Sequence, residues 1–354
     1  MSTAGYSFAK SATKSNFESE LRNTAISLVQ QGKGIYATDE TTEAISARLA
    51  AAEGANSKQY TTDQEKQRRY EWRKCLYETL PTDYISGCIL YQETLVNFGL
   101  AEVLSKRGII PGVRIDTDGQ PLPGAGYGEV FTQGLDDLTS RCQIFKKHGA
   151  RFTKWRAPIL VNASTLPTEL AVDAQATSLA RMAAVSQAVG LVPIVEPDLD
   201  FSGDATLERS LEVHTKVIAK IYEKLAAHGV YLEGTLLKPS FVQPGAQNSE
   251  RKSLTADAVG KATALALSRS VPVAMPGVVF LSGGLSDKDS TAFLSAINKY
   301  SSANNVRLPP LTFSFGRGLQ GDAMEKWTRK DFQGAQEAFN KRAQECSKAS
   351  IGQL

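Results

Sequence analysis

YLEGTLLKP (residues 231–239) is a mostly apolar run that closes on a lysine, Lys238, followed at once by a proline. Because proline cannot donate to a sheet ladder, a strand through this run stops there and leaves the amine beside a largely apolar wall. Desolvation disfavours the ammonium form, and a neutral amine can attack a carbonyl to form a Schiff base. The alternative interpretation is a lysine that buries its stem and keeps its ammonium in water.

Seven more runs rich in apolar, β-branched and aromatic residues complete a set of eight predicted strands. They cover residues 34–39, 85–91, 109–116, 151–156, 191–196, 277–282 and 311–316. Helical periodicity fills most of the gaps, notably at 170–189, 207–227, 256–268 and 288–300. This alternation predicts an α/β protein, a (β/α)8 TIM barrel, because eight parallel strands can close on themselves with helices covering the outside. An open doubly wound sheet is the alternative, but no G-x-G-x-x-G follows the first strand.

At 354 residues the chain could hold one large domain or two ordinary ones, and no linker rich in Pro, Gly or Ser divides it. We predict a barrel domain over residues 17–345, between a flexible arm (1–16) and a mobile tail (346–354). The formal charge of +3 is small for a nucleic-acid-binding protein, and no stretch of about 18 uncharged apolar residues predicts a membrane span. Four scattered cysteines favour a reducing cytoplasm, and three histidines without neighbouring ligands argue against a histidine-bound metal cofactor.

Charged residues recur at the carboxyl ends of the predicted strands, where barrel enzymes carry their reactive groups. They are Asp39, Arg114, Asp116, Lys154, Arg156, Glu196, Asp198 and Lys238. Unpaired charges are costly to bury, so this set needs internal partners or a polyanionic ligand. The pattern favours carbonyl chemistry in which Lys238 forms an iminium with a ketone. The like charge of Lys154 would disfavour the ammonium form of Lys238. Glu196 would move protons, and Asp39 would take a hydroxyl proton.

Two glycine turns after the last two strands predict an anion site. Ser282-Gly283-Gly284 follows the seventh strand and Gly316-Arg317-Gly318 the eighth. Bare backbone N–H groups and a guanidinium would then face one pocket, which is the usual phosphate position of this barrel. Two ordinary tight turns are the alternative.

Six motifs in order along the chain resemble class I fructose-bisphosphate aldolase. They are KGIYATDETT from Lys33, FTKWRAP from Phe152, GLVPIVEPDL from Gly190, GTLLKPSFVQPG from Gly234, VFLSGGLS from Val279 and LTFSFGRGLQ from Leu311. The resemblance implies a (β/α)8 homotetramer that cleaves fructose 1,6-bisphosphate into dihydroxyacetone phosphate and glyceraldehyde 3-phosphate. The resemblance implies no cofactor. Members of this family resemble scaffolds that bind actin or other cytoskeletal proteins.

The same resemblance assigns roles to single residues. It implies that Lys238 is the Schiff-base lysine, Lys154 with Arg156 the assisting pair, Glu196 the acid–base group, and Asp39 the aspartate that acts on the C4 hydroxyl. The residues that would hold the C1 phosphate are Ser282, Gly283, Gly316 and Arg317. Ser314 and Arg48 match further substrate-region positions.

This chain departs from the family pattern at several positions. Asp198 stands where the family has the second glutamate of VEPE, so its contact with the lysine is expected to be longer or bridged by water. Near the expected C6 phosphate, Thr41 keeps a hydroxyl, Ala44 loses one and Glu43 adds a negative charge. Arg114 replaces a lysine, and a guanidinium can bind a phosphate with two hydrogen bonds.

The chain ends at Gly352-Gln353-Leu354, without the terminal tyrosine of many family members. A short or trimmed tail is expected to slow protonation of the enamine. Two other functions stay open at this point: a transaldolase-type Schiff-base barrel, and a non-catalytic scaffold.

Overall fold

The computed structural model describes residues 12–54 and 60–354, with side chains from residue 17 onward. Its α-helices are α1 (Ala12–Leu28), α2 (Thr42–Ala52), α3 (Thr62–Tyr77), α4 (Ala101–Lys106), α5 (Leu138–Lys147), α6 (Glu169–Ala188), α7 (Leu207–Ala227), α8 (Ala256–Ser270), α9 (Asp287–Ala303), α10 (Arg317–Thr328) and α11 (Phe332–Ser350). Its strands are β1 (Gly34–Thr38), β2 (Ile85–Leu90), β3 (Ile110–Arg114), β4 (Gly119–Pro121), β5 (Val130–Thr132), β6 (Phe152–Leu160), β7 (Val192–Asp200), β8 (Leu236–Leu237), β9 (Val278–Phe280) and β10 (Leu311–Phe315).

Eight of these strands close into a parallel barrel in the order β1-β10-β9-β8-β7-β6-β3-β2, while β4 and β5 form a separate antiparallel pair. Parallel neighbours need crossover connections, and helices supply them around the outside. The predicted (β/α)8 barrel is confirmed, and all eight predicted strands fall on barrel strands.

The interior of the barrel is apolar toward the amino-terminal ends of the strands. Its buried cluster contains Ile35, Ile89, Phe152, Val192, Ile194, Leu236 and Val279. Helix α1 adds Leu21 and Leu28 to the same cluster, and Leu28 packs against Gly87 near the start of β2. This end is therefore sealed by hydrophobic contacts. Charged side chains lie toward the opposite end.

Strands β6 and β7 are longer than predicted. We expected them to end at Arg156 and Glu196, but they stay paired as far as Leu160 and Asp200. Their other neighbours stop earlier, with β3 paired only to Lys154 and β8 only to Val195. Lys154, Arg156, Glu196 and Asp198 therefore lie within strands, at the level where the barrel gives way to a two-stranded extension.

The strand that carries Lys238 is shorter than predicted. A 3-10 turn at Leu232–Gly234 replaces its first half, and β8 is only Leu236–Leu237. The backbone N–H of Lys238 still donates to Val195 O at 2.8 Å, so the pairing with β7 continues to the lysine. The amine is thus placed by the rigid barrel wall.

The predicted ends of the domain need correction. Helix α1 begins at Ala12, inside the predicted arm, and residues 1–11 lie outside the described part. Helix α11 continues to Ser350 with Cys346 and Ala349 buried, so the predicted tail from residue 346 is helical over its first half. Leu354 O accepts a hydrogen bond from Ser295 Oγ in α9. Among the described residues, none of the helices has the length and apolar character needed to cross a membrane.

Candidate active site

Lys238, Glu196, Lys154 and Asp39 lie together inside the barrel mouth, and we call them the lysine–carboxylate cluster. Lys238 Nζ lies 3.1 Å from Glu196 Oε1. Lys154 Nζ lies 2.8 Å from Glu196 Oε2 and 2.6 Å from Asp39 Oδ2. The structure therefore brings together four of the residues predicted to carry the chemistry.

The cluster is almost closed to solvent. Lys238 is 3% exposed, Lys154 4% and Glu196 5%. A lysine whose stem alone is buried would keep its ammonium in water, so that alternative interpretation of Lys238 is wrong. Charges buried to this extent persist because each one has an opposite charge in contact.

Mutual charge sets the ionisation of three of these groups. Burial alone would raise the pKa of Asp39, but the charges of Lys154 and Lys238 outweigh it and hold that pKa well below its usual value. Burial likewise acts to raise the pKa of Glu196, and the same two lysines lower it. Burial would lower the pKa of Lys154, but Asp39 and Glu196 raise it. At neutral pH Asp39 and Glu196 are therefore carboxylates and Lys154 is an ammonium.

Arg114 lies next to this cluster and is already paired. Its Nε donates to Asp116 Oδ1 at 2.8 Å, and Asp116 Oδ2 accepts from the backbone N–H of Arg156 at 3.1 Å. Burial acts to lower the pKa of Arg114, and the charges of Asp116 and Asp39 raise it. Arg114 is therefore a fixed cation at the mouth.

A cavity of about 400 Å³ opens on the side of the mouth that β6, β7, β8, β9 and β10 form. The lysine–carboxylate cluster is not part of its wall. Arg156 and Asp198 are on the wall and bind each other, with Arg156 Nε donating to Asp198 Oδ2 at 2.6 Å. Burial raises the pKa of Asp198, and Arg156 opposes that effect. Asp198 is directed to Arg156, and Glu196 is the carboxylate that contacts Lys238.

Ser282, Gly283 and Arg317 line the same cavity, and Gly316 caps the helix that begins at Arg317. We call these four residues the anion cradle. Gly283 and Gly284 have φ of 54° and 82°, a backbone form that favours glycine. A Cβ on Gly284 would lie 3.1 Å from Arg317 Nη2, so the guanidinium packs against bare backbone. The two predicted turns therefore meet at one cavity.

Of the remaining predicted residues, Thr41 and Arg48 have structural partners. Thr41 Oγ1 accepts from Ala44 N and caps α2. Arg48 Nη1 donates to Glu40 Oε1 at 2.8 Å. Ser314 is buried in β10, and its Oγ has no hydrogen-bond partner among the described residues. Burial and the nearby charge of Arg48 lower the pKa of Arg317, so a bound anion would relieve repulsion between these two cations.

Sequence reasoning missed the support of the residue that follows Asp39. The Glu40 carboxylate accepts from Arg48, from Arg73 Nη2 at 2.7 Å and from Gln320 Nε2 at 2.5 Å. This carboxylate ties the β1–α2 turn to α3 and α10. The sequence signal for this role was that Glu40 directly follows Asp39 in the motif TDE.

Comparison with known proteins agrees with this site. The family described as fructose-bisphosphate aldolase class-I matches residues 20–354. Fructose-bisphosphate aldolase 2 of Caenorhabditis elegans is 41% identical over 99% of this chain and 94% of that protein. Fructose-bisphosphate aldolase B of Homo sapiens is 40% identical over 94% of this chain and 90% of that protein.

A solved structure is similar over nearly the whole chain. It is the fructose-bisphosphate aldolase of Plasmodium falciparum in a ternary complex with TRAP and a small-molecule inhibitor. Its TM-score is 0.88 at 36% identity, and the match covers 96% of both chains. The chain therefore belongs to the class I fructose-bisphosphate aldolase family and is a glycolytic lyase that cleaves fructose 1,6-bisphosphate reversibly into dihydroxyacetone phosphate and glyceraldehyde 3-phosphate.

Proposed function

We propose that Lys238 is the nucleophile of this aldolase and forms a Schiff base with the ketone carbon of the sugar. The observation that carries the assignment is its buried amine, 3.1 Å from the Glu196 carboxylate at the end of a barrel strand. An iminium ion withdraws electrons from the adjacent carbon–carbon bond, which can then break.

Glu196 is proposed as the group that moves protons during Schiff-base formation. The amine must lose a proton before it attacks, and the resulting carbinolamine must gain one to expel water. One oxygen of Glu196 contacts Lys238 and the other contacts Lys154, so this carboxylate can accept a proton beside the reacting nitrogen. Lys154 stabilises its ionised form through charge.

Asp39 is proposed to start cleavage by taking the proton of the C4 hydroxyl. Lys154 keeps its carboxylate ionised, which a proton acceptor requires. As the proton leaves, the C3–C4 bond breaks, its electrons give an enamine on Lys238, and glyceraldehyde 3-phosphate departs. Protonation of the enamine and hydrolysis of the iminium then release dihydroxyacetone phosphate.

The anion cradle is proposed to hold the C1 phosphate, with Arg156 and Asp198 as the neighbouring wall of the cavity. N–H groups of a glycine turn, the start of α10 and the Arg317 guanidinium are suited to a phosphate dianion. Thr41, Arg48, Arg114 and Ser314 are proposed to serve the rest of the sugar phosphate.

Reductive trapping tests the assignment of Lys238. We expect borohydride with dihydroxyacetone phosphate to leave one covalent adduct, because reduction of the iminium gives a stable secondary amine. Peptide mass spectrometry should find it on Lys238. An adduct on another lysine, or no adduct, would contradict the assignment.

Arg114 is expected to set preference for a C6 phosphate. Arg114→Ala should raise the KM for fructose 1,6-bisphosphate by roughly tenfold or more and change that for fructose 1-phosphate far less, because a charge-assisted pair is lost. Steady-state kinetics on both sugars measure the ratio. Arg107→Ala, which removes one bond to Leu80 O, is the control and should leave the ratio unchanged. If Arg114→Ala also leaves the ratio of the two KM values unchanged, the role of Arg114 in preference for a C6 phosphate is contradicted.

We also propose a homotetramer in the cytoplasm with a cytoskeletal partner, on the support of family membership alone. Sedimentation of the purified protein, with and without actin filaments, tests both the assembly and the partner.

A further inference from the structure

Arg342 on α11 joins the first turns of two other helices. Its Nε donates to Gly318 O in α10 at 2.7 Å. Its Nη2 donates to Asp287 O at 2.5 Å and to Ser290 Oγ at 3.2 Å, both in α9. Its Nη1 donates to Glu345 Oε2 at 2.9 Å on its own helix. The side chain is only 11% exposed, so these bonds are largely shielded from competing water.

The two turns that Arg342 joins carry the two halves of the anion cradle. Helix α9 follows the Ser282 to Gly284 loop, and α10 begins at Arg317. A Cβ on Gly318 would lie 3.5 Å from Ser290 Oγ, so the turns are in contact where Arg342 binds them. The spacing of the cradle therefore depends on how these turns are held.

We propose that Arg342 is a positioning residue for the anion cradle. A phosphate bound by groups from two loops needs both loops within about 0.5 Å of the productive geometry. The planar guanidinium has donors in a fixed fork, so it sets the relative position of Gly318 and Asp287 as a lysine cannot. Arg342 touches no substrate and acts through the loops that do. This inference rests on the proposed role of the cradle.

An outer groove of about 630 Å³ reaches Arg342. Asp287, Asp322 and Glu345 are among its wall residues. Removal of the Arg342 side chain would leave the carboxylates of Asp287 and Glu345, and the acceptors of both turns, without their guanidinium. A free guanidinium ion can enter such a groove from solvent and bind the same acceptors.

The test measures inhibition by inorganic phosphate, which competes for the cradle. Arg342→Ala should raise the inhibition constant of phosphate and the KM of fructose 1,6-bisphosphate by roughly tenfold, with kcat within about twofold, because misplaced binding groups weaken ground-state binding. Millimolar guanidinium should restore phosphate affinity in this variant and not in wild type. Arg107→Ala, at the far end of the barrel, is the control and should behave as wild type.

The outcomes separate positioning from stability. Millimolar guanidinium is far below denaturing concentrations, so a purely structural role predicts that it leaves the phosphate affinity of Arg342→Ala unchanged, and that result would overturn the proposal. Should the alanine variant fold poorly, Arg342→Lys keeps the charge; it should fold yet bind phosphate more weakly than wild type, and wild-type affinity would overturn the proposal.

Arg317→Ala distinguishes failure of the cradle from failure of this inference. If Arg317→Ala leaves phosphate inhibition unchanged, the cradle is misassigned and the inference falls with it. If Arg317→Ala weakens inhibition while Arg342→Ala does not, the cradle stands and only the positioning role is overturned.

Discussion

Replacing Lys238 by methionine should abolish cleavage of fructose 1,6-bisphosphate, with kcat reduced by about 10⁴-fold or more, because no covalent intermediate can form. Methionine has similar bulk, and Glu196 keeps its contact with Lys154, so the barrel mouth should stay folded. A coupled assay for the triose phosphates measures the rate. Borohydride trapping on the same protein should give no adduct.

Lys216→Met is the matched control for this prediction. Lys216 lies on α7, is more than half exposed and pairs with Glu169, far from any proposed role. Its loss should leave both kcat and trapping unchanged. Residual cleavage by Lys238→Met within tenfold of wild type would mean that another amine performs the reaction.

The barrel could be predicted because each strand is an apolar run that stops at a charge or a turn. The lengths of β6 and β7 could not. Pro158 and Pro197 lie just beyond the predicted ends of these strands, and proline lacks the N–H of a sheet ladder. In the structure both lie beyond the level where β3 and β8 end, so β6 and β7 have one neighbour each there. A proline is tolerated on such an edge.

Charged residues of the candidate site that lie on strands could be grouped from the sequence, but two buried arginines on helices that support it could not. Arg73 and Arg342 belong to polar helical segments, whose pattern indicates solvent-facing positions. In the structure Arg73 is 2% exposed and bound to Glu40, because α3 packs on the turn that follows β1. Such partners come from packing between distant segments, which local periodicity does not report.

Glu196→Gln should reduce kcat by roughly 10²–10⁴-fold, the range typical for loss of a general acid–base group. Glutamine keeps the size of the side chain but cannot accept a proton, so formation of the Schiff base should slow. Lys154 keeps its contact with Asp39, which preserves a partner for the buried ammonium. Single-turnover kinetics, combined with the rate of borohydride trapping, should show the delay before cleavage of the carbon–carbon bond.

Glu129→Gln separates this effect from the general cost of altering a buried glutamate. Glu129 is 4% exposed, and it accepts from Gly126 N, Thr168 N and Thr168 Oγ1 at 2.6 to 2.8 Å. Its substitution should lower the unfolding temperature, because the amide nitrogen cannot accept these bonds, while kcat stays near wild type. If Glu196→Gln also loses only stability and traps dihydroxyacetone phosphate at the normal rate, then the proton passes through another group. Asp39 would be the next candidate, since it shares Lys154 with Glu196.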